Sequence, residues 1–456
     1  MGTDDGTGHN VEIQELAGEF WIANAAGPRR RGVLRLQKES SPRLTLDGAL
    51  TSMMRLVSET GSGETLLRKW EPANDRRLYT IHGVTEDYDT PVTLLEAQNR
   101  GYSGGLFPDE QREKFQSIQA VVGAHIEGRD HEFAGARIRL QQARELLSSR
   151  SDPSWLLPTT LQSDWAFHLE ESREATWLVL QGITPRTIRG LDRQYVRPLC
   201  TLLSLSTGEA KVGLLGLEVQ QESTSPWLRV HSAAHRSSDL PVARKSLLRV
   251  DDISPGILRT WLDKVERFGP LPPVVTNGIQ GPIVLESRVL ALTTVAEGLH
   301  RRLRPDAVRF SQETGTAIRN AAVEAAENVQ PGTGEAVKGL LNHVHEVGYR
   351  QRLRELAEMA EPGAPGVTGR SDRWSVAVYD ARNDFAHRGG MGWFEDADYD
   401  RYVTVALSLQ WLLRAVLLSE AGIESDLLAE RFRTHEEYQL FLEQARTWQP
   451  RIYSTG

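Results

Sequence analysis

The sequence predicts an α+β multidomain protein: an N-terminal β-rich region with sandwich or barrel-like layers, followed by a C-terminal all-α helical bundle. Three observations predict it. The chain has 456 residues, more than one hydrophobic core usually organises. From about Phe20 to Val250, short apolar or alternating runs are punctuated by Gly, Pro, Asp and Ser, without regular helices between them. Beyond residue 282 the apolar period lengthens from two residues to about 3.6.

Taken in order, "RGVLRLQ", "RLTLDG", "RLYTIHGV" and "TPVTLLEAQN" read as strands bounded by turn residues. "AGARIRLQQARELLSS" (134–149) reads as a helical patch. It separates a first β-rich subdomain, 15–150, from a second, 151–270, built of "TWLVLQG", "KVGLLGLEV" and "PWLRVHS". "FGPLPPVVTNGIQGP" (268–282) is rich in Pro and Gly and reads as a linker. After it Ile283, Val289, Leu292, Val295, Ala296 and Leu299 recur at helical spacing. "GTAIRNAAVEAAENV", "AVKGLLNHVHEVGYRQRLRELAEMA" and "DRYVTVALSLQWLLRAVLLSEAGI" continue in the same manner. A helical domain is expected over 283–420 and a helical tail over 421–456.

Composition narrows the function classes. With 39% hydrophobic and 25% charged residues the chain is of ordinary soluble composition. A net charge of −8 excludes a surface coated in cations, so any nucleic-acid contact must come from local patches. The single Cys200 excludes an intrachain disulfide and a Cys-based zinc cluster, and fits a reducing cytoplasm. "MGTDDGTGHN" has no apolar core and is not read as a secretory signal. The most apolar run, Val403 to Leu418, is interrupted by Gln410 and Arg414 and is short for a bilayer. A cytoplasmic protein without membrane association is expected.

Several chemical patterns fail on inspection. "PGTGEAVKGL" has the wrong spacing for a phosphate loop, and Lys338 is followed by Gly339 where Ser or Thr is needed. His343 and His345, two apart, point to different helix faces and read as surface histidines. His231 and His235 lie in a Ser-rich, non-helical stretch and read as loop histidines. There is no Gly-x-Ser-x-Gly elbow and no dinucleotide glycine fingerprint after a strand, and the His pairs above make no credible metal-ligand cluster; no cofactor and no metal are expected.

"YDARNDFAHRGG" (379–390) survives the same treatment. Ser371 is placed to cap a helix on which Trp374, Val378, Ala381 and Phe385 form one apolar stripe, ended by Gly389 and Gly390. Asn383 and His387, four apart, share a face away from that stripe. Arg382 is rotated about 140° from His387, within reach of its long stem. The set supplies a phosphate-matching cation, an acid/base group near neutral pH and an orienting amide, the parts needed to cut RNA through its own 2′-hydroxyl. The residues alone leave a second reading open, a solvated polar face at a helix end.

Arg382-Asn383-Asp384-Phe385-Ala386-His387 resembles the R-x4-6-H motif of HEPN-domain proteins, in the form RNxxxH. A long first helix with Glu286 and Glu297 precedes it, and "SLQWLLRAVLLSEAGI" follows it, as in the HEPN module. "GEFWIANAAGPRRRGVLRLQ", "RLTLDG" and "YTIHGVTEDYDTPVTLLEAQ" resemble the N-terminal β region of ApeA-type bacterial anti-phage proteins, with Asn24-Ala25 where a Pro-Gly turn is expected. The resemblance spans roughly residues 15 to 420. It implies a metal-independent endoribonuclease of abortive infection, cytoplasmic, with the β region sensing or regulating. Arg382 would hold the scissile phosphate, His387 would act as general acid/base, and Asn383 would orient His387 or the substrate. The implied partners are an RNA substrate, tRNA or another structured RNA, a phage-derived trigger, and further copies of the chain in a dimer or dimer of dimers. Arg301, Arg302 and Arg304, with Arg350, Arg352 and Arg354, are placed to flank an RNA path, and read equally as surface charge. The alternative is a non-catalytic HEPN scaffold whose β domains bind a phage protein, nucleotide or carbohydrate.

Overall fold

The computed structural model describes residues 13–51, 54–60, 66–72, 77–104, 111–147, 159–160, 165–171, 175–207, 212–236, 246–277, 284–387 and 396–454. The chain divides into two compact units, Met1–Cys200 with Val212–Val242 and Thr201–Lys211 with Ala243–Gly456.

The first unit is built on β1 (Ile13–Ile22), β2 (Arg30–Gln37), β3 (Arg43–Asp47), β6 (Leu78–Thr85), β7 (Pro91–Gly104) and β8 (Gln111–Gln116), with β4 (Met54–Thr60) and β5 (Leu66–Pro72) forming a separate hairpin. The six strands pair antiparallel in the order β7-β6-β1-β2-β3-β8, and β8 returns to β7, so they close a barrel. Alternation explains which face turns inward. Leu34 and Leu36 of β2 and Leu44 and Leu46 of β3 are buried with Phe20, Ile81 and Phe115, while Arg35 and Arg43 face out. Gly83 lies under the Phe20 ring, where a β-carbon would run into the ring edge, so this position requires glycine.

β7 outlasts the barrel. Its first half pairs β9 (Gln119–Val122) and its second half pairs β8. The handover falls at Glu96, whose left-handed φ of 52° accompanies a register shift against β6. Through β9 the sheet continues in the order β15 (Leu228–Ser232), β14 (Leu214–Gln220), β10 (Glu132–Leu140), β13 (Thr176–Thr187), β12 (Trp165–Glu171) and β11 (Thr159–Thr160). The β1–β2 connection turns at Asn24 with φ 56°, a conformation Asn tolerates almost as Gly does.

Three expectations are corrected in this part of the chain. The helical patch at 134–149 is mostly strand β10, followed by the single turn α1 (Ala143–Leu146). Ala136, Ile138 and Leu140 alternate with Arg137 and Arg139, and pairing with both β13 and β14 overrides the helix propensity of the stretch. Conversely, "IRGLDRQYVRPLCTLLSLST", within the part read as strands, is helical: α2 (Ile188–Leu191), a π-turn (Asp192–Val196) and α3 (Arg197–Thr207). The wide turn ends just before Pro198, which can donate no helical hydrogen bond. His231 lies on β15 opposite Ala120 instead of in a loop, and His235 is buried just beyond it. Burial lowers each imidazole to about 4.

The second unit is helical. Besides residues 201–211 it contains α4 (Pro255–Asp263), capped by Ser254, then α5 (Val265–Phe268) and α6 (Leu271–Asn277). The expected linker at 268–282 is thus partly helix, with Pro272 and Pro273 in the first turn of α6, where missing N–H groups cost nothing. Residues 278–282 lie outside the described residues. The bundle proper comprises α7 (Leu285–Leu303), α8 (Gln312–Val329), α9 (Gly334–Leu340), α10 (Tyr349–Ala360), α11 (Ser371–His387), α12 (Asp396–Glu420), α13 (Ser425–Thr434), α14 (Glu436–Trp448) and α15 (Pro450–Tyr453). Val289, Leu292, Val295, Ala296 and Leu299 of α7 are all buried, as their spacing predicts; Ile283 is outside the described residues.

α12 is the central helix and packs on α7, α10 and α14. At 25 residues it is longer than the apolar run that predicts it, and by length and composition it is apolar enough to cross a membrane. Of its most apolar window, 83% is buried within the protein, so it serves here as core. α13 to α15 add Phe432, Tyr438, Phe441 and Tyr453 to that core. α8 and α9 form a hairpin on which, along α8, only Gly315 is buried. The amides of Gly332 and Gly334 donate to the Glu327 carboxylate at 2.9 and 2.8 Å, so a side chain of the chain itself fills the turn of "PGTGEAVKGL".

Candidate active site

The apolar stripe of α11 forms nearly as its spacing predicts. Trp374, Val378 and Ala381 are buried, and Phe385 is half-buried with its ring 4.4 Å from that of Tyr402. The Trp374 indole donates to Ser408 Oγ on α12 at 2.9 Å. Ser371 is the first helical residue, one position inside the expected cap, and the Arg370 carbonyl receives the Trp374 N–H at 2.9 Å. Gly389 and Gly390 lie outside the described residues.

The motif residues leave this stripe in two directions. Asp384 accepts hydrogen bonds from Arg401 (3.1 Å) and the Tyr402 hydroxyl (3.0 Å), which tie the end of α11 to the start of α12. Arg382 points to α7 and α10. One Nη lies 3.0 Å from Glu297 Oε2, and the guanidinium sits 4.5 Å over the Tyr349 ring. The Tyr349 hydroxyl donates to the Thr293 carbonyl at 3.1 Å, and burial raises its pKa above the ordinary phenol value, so it remains a neutral platform. The Arg382 side chain keeps 34% of its surface, leaving donors free for a ligand. Asn383 is half-buried beside it. His387 closes α11; its imidazole lies outside the described residues.

A chain of charges fixes Glu297 in turn. Its second oxygen accepts from Arg301 at 3.2 Å, one turn along α7, and Arg301 also reaches Glu346 at 2.6 Å. Burial alone would raise the Glu346 carboxyl, but hydrogen bonds from Arg301 and His343 hold it below the usual range. Arg352, only 3% exposed, lies 3.4 Å from Glu346 and donates to His300 Nδ1 at 3.2 Å. His300, fully buried, donates from Nε2 to Glu355 at 2.6 Å. Burial lowers the His300 pKa against the opposing pull of Glu355, which fits a neutral ring with Nε2 as donor.

The sequence-predicted cations therefore part company. Arg301 and Arg352 join the Arg382 cluster, and Arg352 does so from inside the fold, where no RNA strand reaches it. Arg302 turns away to donate to the Arg267 carbonyl at 3.0 Å, and Arg354 pairs with Asp372 at 3.0 Å. Arg304 and Arg350 are exposed. Of the two glutamates on the first helix, Glu297 meets the motif; Glu286 lies about 16 Å away along the axis. Tyr349, Glu346 and His300 carry no motif of their own. The one sequence signal for this cluster is the four-residue spacing of Glu297 and Arg301. Among the described residues, no group of three or more His, Cys, Asp or Glu is arranged to hold a metal ion.

This geometry falls inside the segment with a family match. The family model described as Apea-like HEPN matches residues 290–427, from the second turn of α7 to α13. No curated protein and no solved structure matches the chain. The matched segment holds Glu297, Arg301, Tyr349, Arg352, Arg382, Asn383 and His387, and through it the chain carries an Apea-like HEPN domain.

Proposed function

We propose that this domain is a metal-independent endoribonuclease of bacterial anti-phage defence, acting in the cytoplasm by abortive infection, and that the β unit senses the phage-derived trigger or regulates the cut. The observation that carries the reading is Arg382, part-exposed and held by Glu297 and Tyr349 within a matched HEPN segment. A guanidinium fixed on one edge presents its remaining N–H groups to a phosphate.

In the reaction the ribose 2′-hydroxyl attacks the adjacent phosphorus while His387 takes its proton. The bond to the 5′-oxygen breaks, and that oxygen leaves with a proton from a second acid. The motif helix of a second copy, in a dimer or dimer of dimers, supplies that acid. Arg382 stabilises the charge that develops on the phosphorane, and Asn383 orients His387 or the substrate. Because the nucleophile belongs to the RNA, the chemistry calls for no cofactor.

The test is cleavage of total and transfer RNA by purified wild type, Arg382→Ala and His387→Ala. Each variant is expected to fold and to lose roughly 3–4 kcal/mol of transition-state stabilisation, a hundred- to thousand-fold in rate. Wild-type cleavage should persist in EDTA and leave 2′,3′-cyclic phosphate or 3′-phosphate ends. Full activity in either variant, or 3′-hydroxyl ends, overturns the assignment. A wild type inert towards RNA favours the scaffold instead.

A further inference from the structure

We propose that the outer wall of the barrel, from the β3–β8–β7 cleft across β2 to β1 and β6, is a binding face for single-stranded RNA. The first observation is a cleft of about 540 Å³ lined by Arg43, Arg100 and Lys114. Arg100 donates to Gln116 at 3.0 Å, and among the described residues no carboxylate pairs with any of the three cations. Arg43 stands directly opposite Arg35, an arrangement that destabilises a sheet unless something relieves it. Glu15 relieves Arg35 at 2.7 Å, and Asp47 faces Arg112 at 3.5 Å, but neither acid meets Arg43 or Lys114. Three cations in one cleft that meet no carboxylate among the described residues, on a chain of net charge −8, mark a local site for an anion.

The second observation is independent and says which anion. At the other end of β2, about 15–20 Å along the strand, Arg29 lies 4.2 Å over the ring of Trp21. Trp21 meets the His125 ring edge-on at 5.3 Å, and His125 stacks on His82 at 4.6 Å and 14°. Both imidazoles are fixed by Nε2 contacts of 2.9 Å, His125 to the Gly83 carbonyl and His82 to that of Ile126. An oriented aromatic group with Arg29 on its ring, one strand length from a cation cleft, is the pairing that unstacked bases and their phosphates require, with several nucleotides spanning the distance. A duplex keeps its bases stacked and has no use for the platform. A small anion would need the cleft alone.

Binding is measured on full-length chain carrying Arg382→Ala, so that cleavage plays no part and the absence of catalysis in wild type leaves the result intact. The probe is a fluorescently labelled oligouridine 12-mer, followed by anisotropy from about 50 to 200 mM salt. Arg43→Gln with Lys114→Gln should weaken binding roughly tenfold at low salt and flatten the slope of log K against log salt by about 1.4, or 0.7 per lost phosphate contact. Trp21→Ala should weaken binding about tenfold without moving the slope. The charge-keeping pair Arg43→Lys with Lys114→Arg should bind as the parent does, which separates a lost charge from a damaged fold. Lys338→Gln, on α9, should change nothing. Unchanged affinity and slope in the glutamine pair, an equal loss in Lys338→Gln, or equal affinity for a duplex of the same length overturns the proposal.

Discussion

Glu297→Gln isolates the contact on which the candidate site depends. The substitution keeps the shape of the side chain and one acceptor while removing the charge that faces Arg382 at 3.0 Å and Arg301 at 3.2 Å. With charge centres about 4 Å apart and an effective dielectric near 20, the attraction to Arg382 is about 4 kcal/mol. Glu297 keeps 23% of its surface and Arg382 34%, so screening and side-chain ordering reduce the net value to roughly 1 kcal/mol. The pair with Arg301, one helical turn away and more exposed, adds about 0.3–0.5 kcal/mol. Urea unfolding should therefore show a loss of roughly 1–1.5 kcal/mol. The effect on rate should be larger, because a guanidinium free to swing by about 1 Å forfeits on the order of a hundredfold in a positioned reaction. That loss belongs in kcat, with KM little changed, since the Arg382 charge is still present. Combining Glu297→Gln with Arg382→Gln should cost less than the sum of the two, the mark of residues acting as one. Wild-type kcat in Glu297→Gln, or a rise in activity, refutes the positioning role.

Two further outcomes concern stability. Asp252 receives both arms of Arg431 at 2.7 Å, with side chains 3% and 11% exposed, while Arg431 also reaches the exposed Glu430 at 3.1 Å, so Asp252→Asn should cost about 1–3 kcal/mol by weakening a charge-assisted pair; a melting temperature unchanged by the substitution would contradict this. His231 and His235 are held near pKa 4, below their unfolded value near 6.5, so the unfolded chain binds more protons between those limits. Their contribution to stability is complete above about pH 6.5 and is lost as pH falls towards 4, and His235→Gln should flatten that acid limb in urea titrations at pH 7 and 5.

Where periodicity and burial agree, the sequence was legible. Leu34, Leu36, Leu44 and Leu46 alternate because one face of each strand turns into the barrel, and Trp374, Val378 and Ala381 recur because one face of α11 meets α12. Legibility ended where long-range partners decide. Residues 134–140 carry arginines and alanines that suit a helix, and only β13 and β14, far along the chain, make them a central strand. Barrel closure is invisible for the same reason, since it rests on β8 meeting β7. At the site, Arg382 was legible as a motif residue, but its anchors were not. Glu297 and Tyr349 lie 85 and 33 positions earlier, and nothing local marks them as neighbours of one guanidinium.

The strand order also sets a schedule for synthesis. The barrel strands β1 to β8 end at Gln116, so that enclosure can form while most of the chain is still on the ribosome. β9 and β10 must wait for β15 and β14, and the sheet is complete only when Ser232 has emerged. α11 begins at Ser371, so at 5–20 residues per second the nascent chain carries a finished sheet for about seven to thirty seconds before Arg382 exists. The Arg382 cluster of the helical domain therefore cannot assemble before the whole sheet of the same chain has been made.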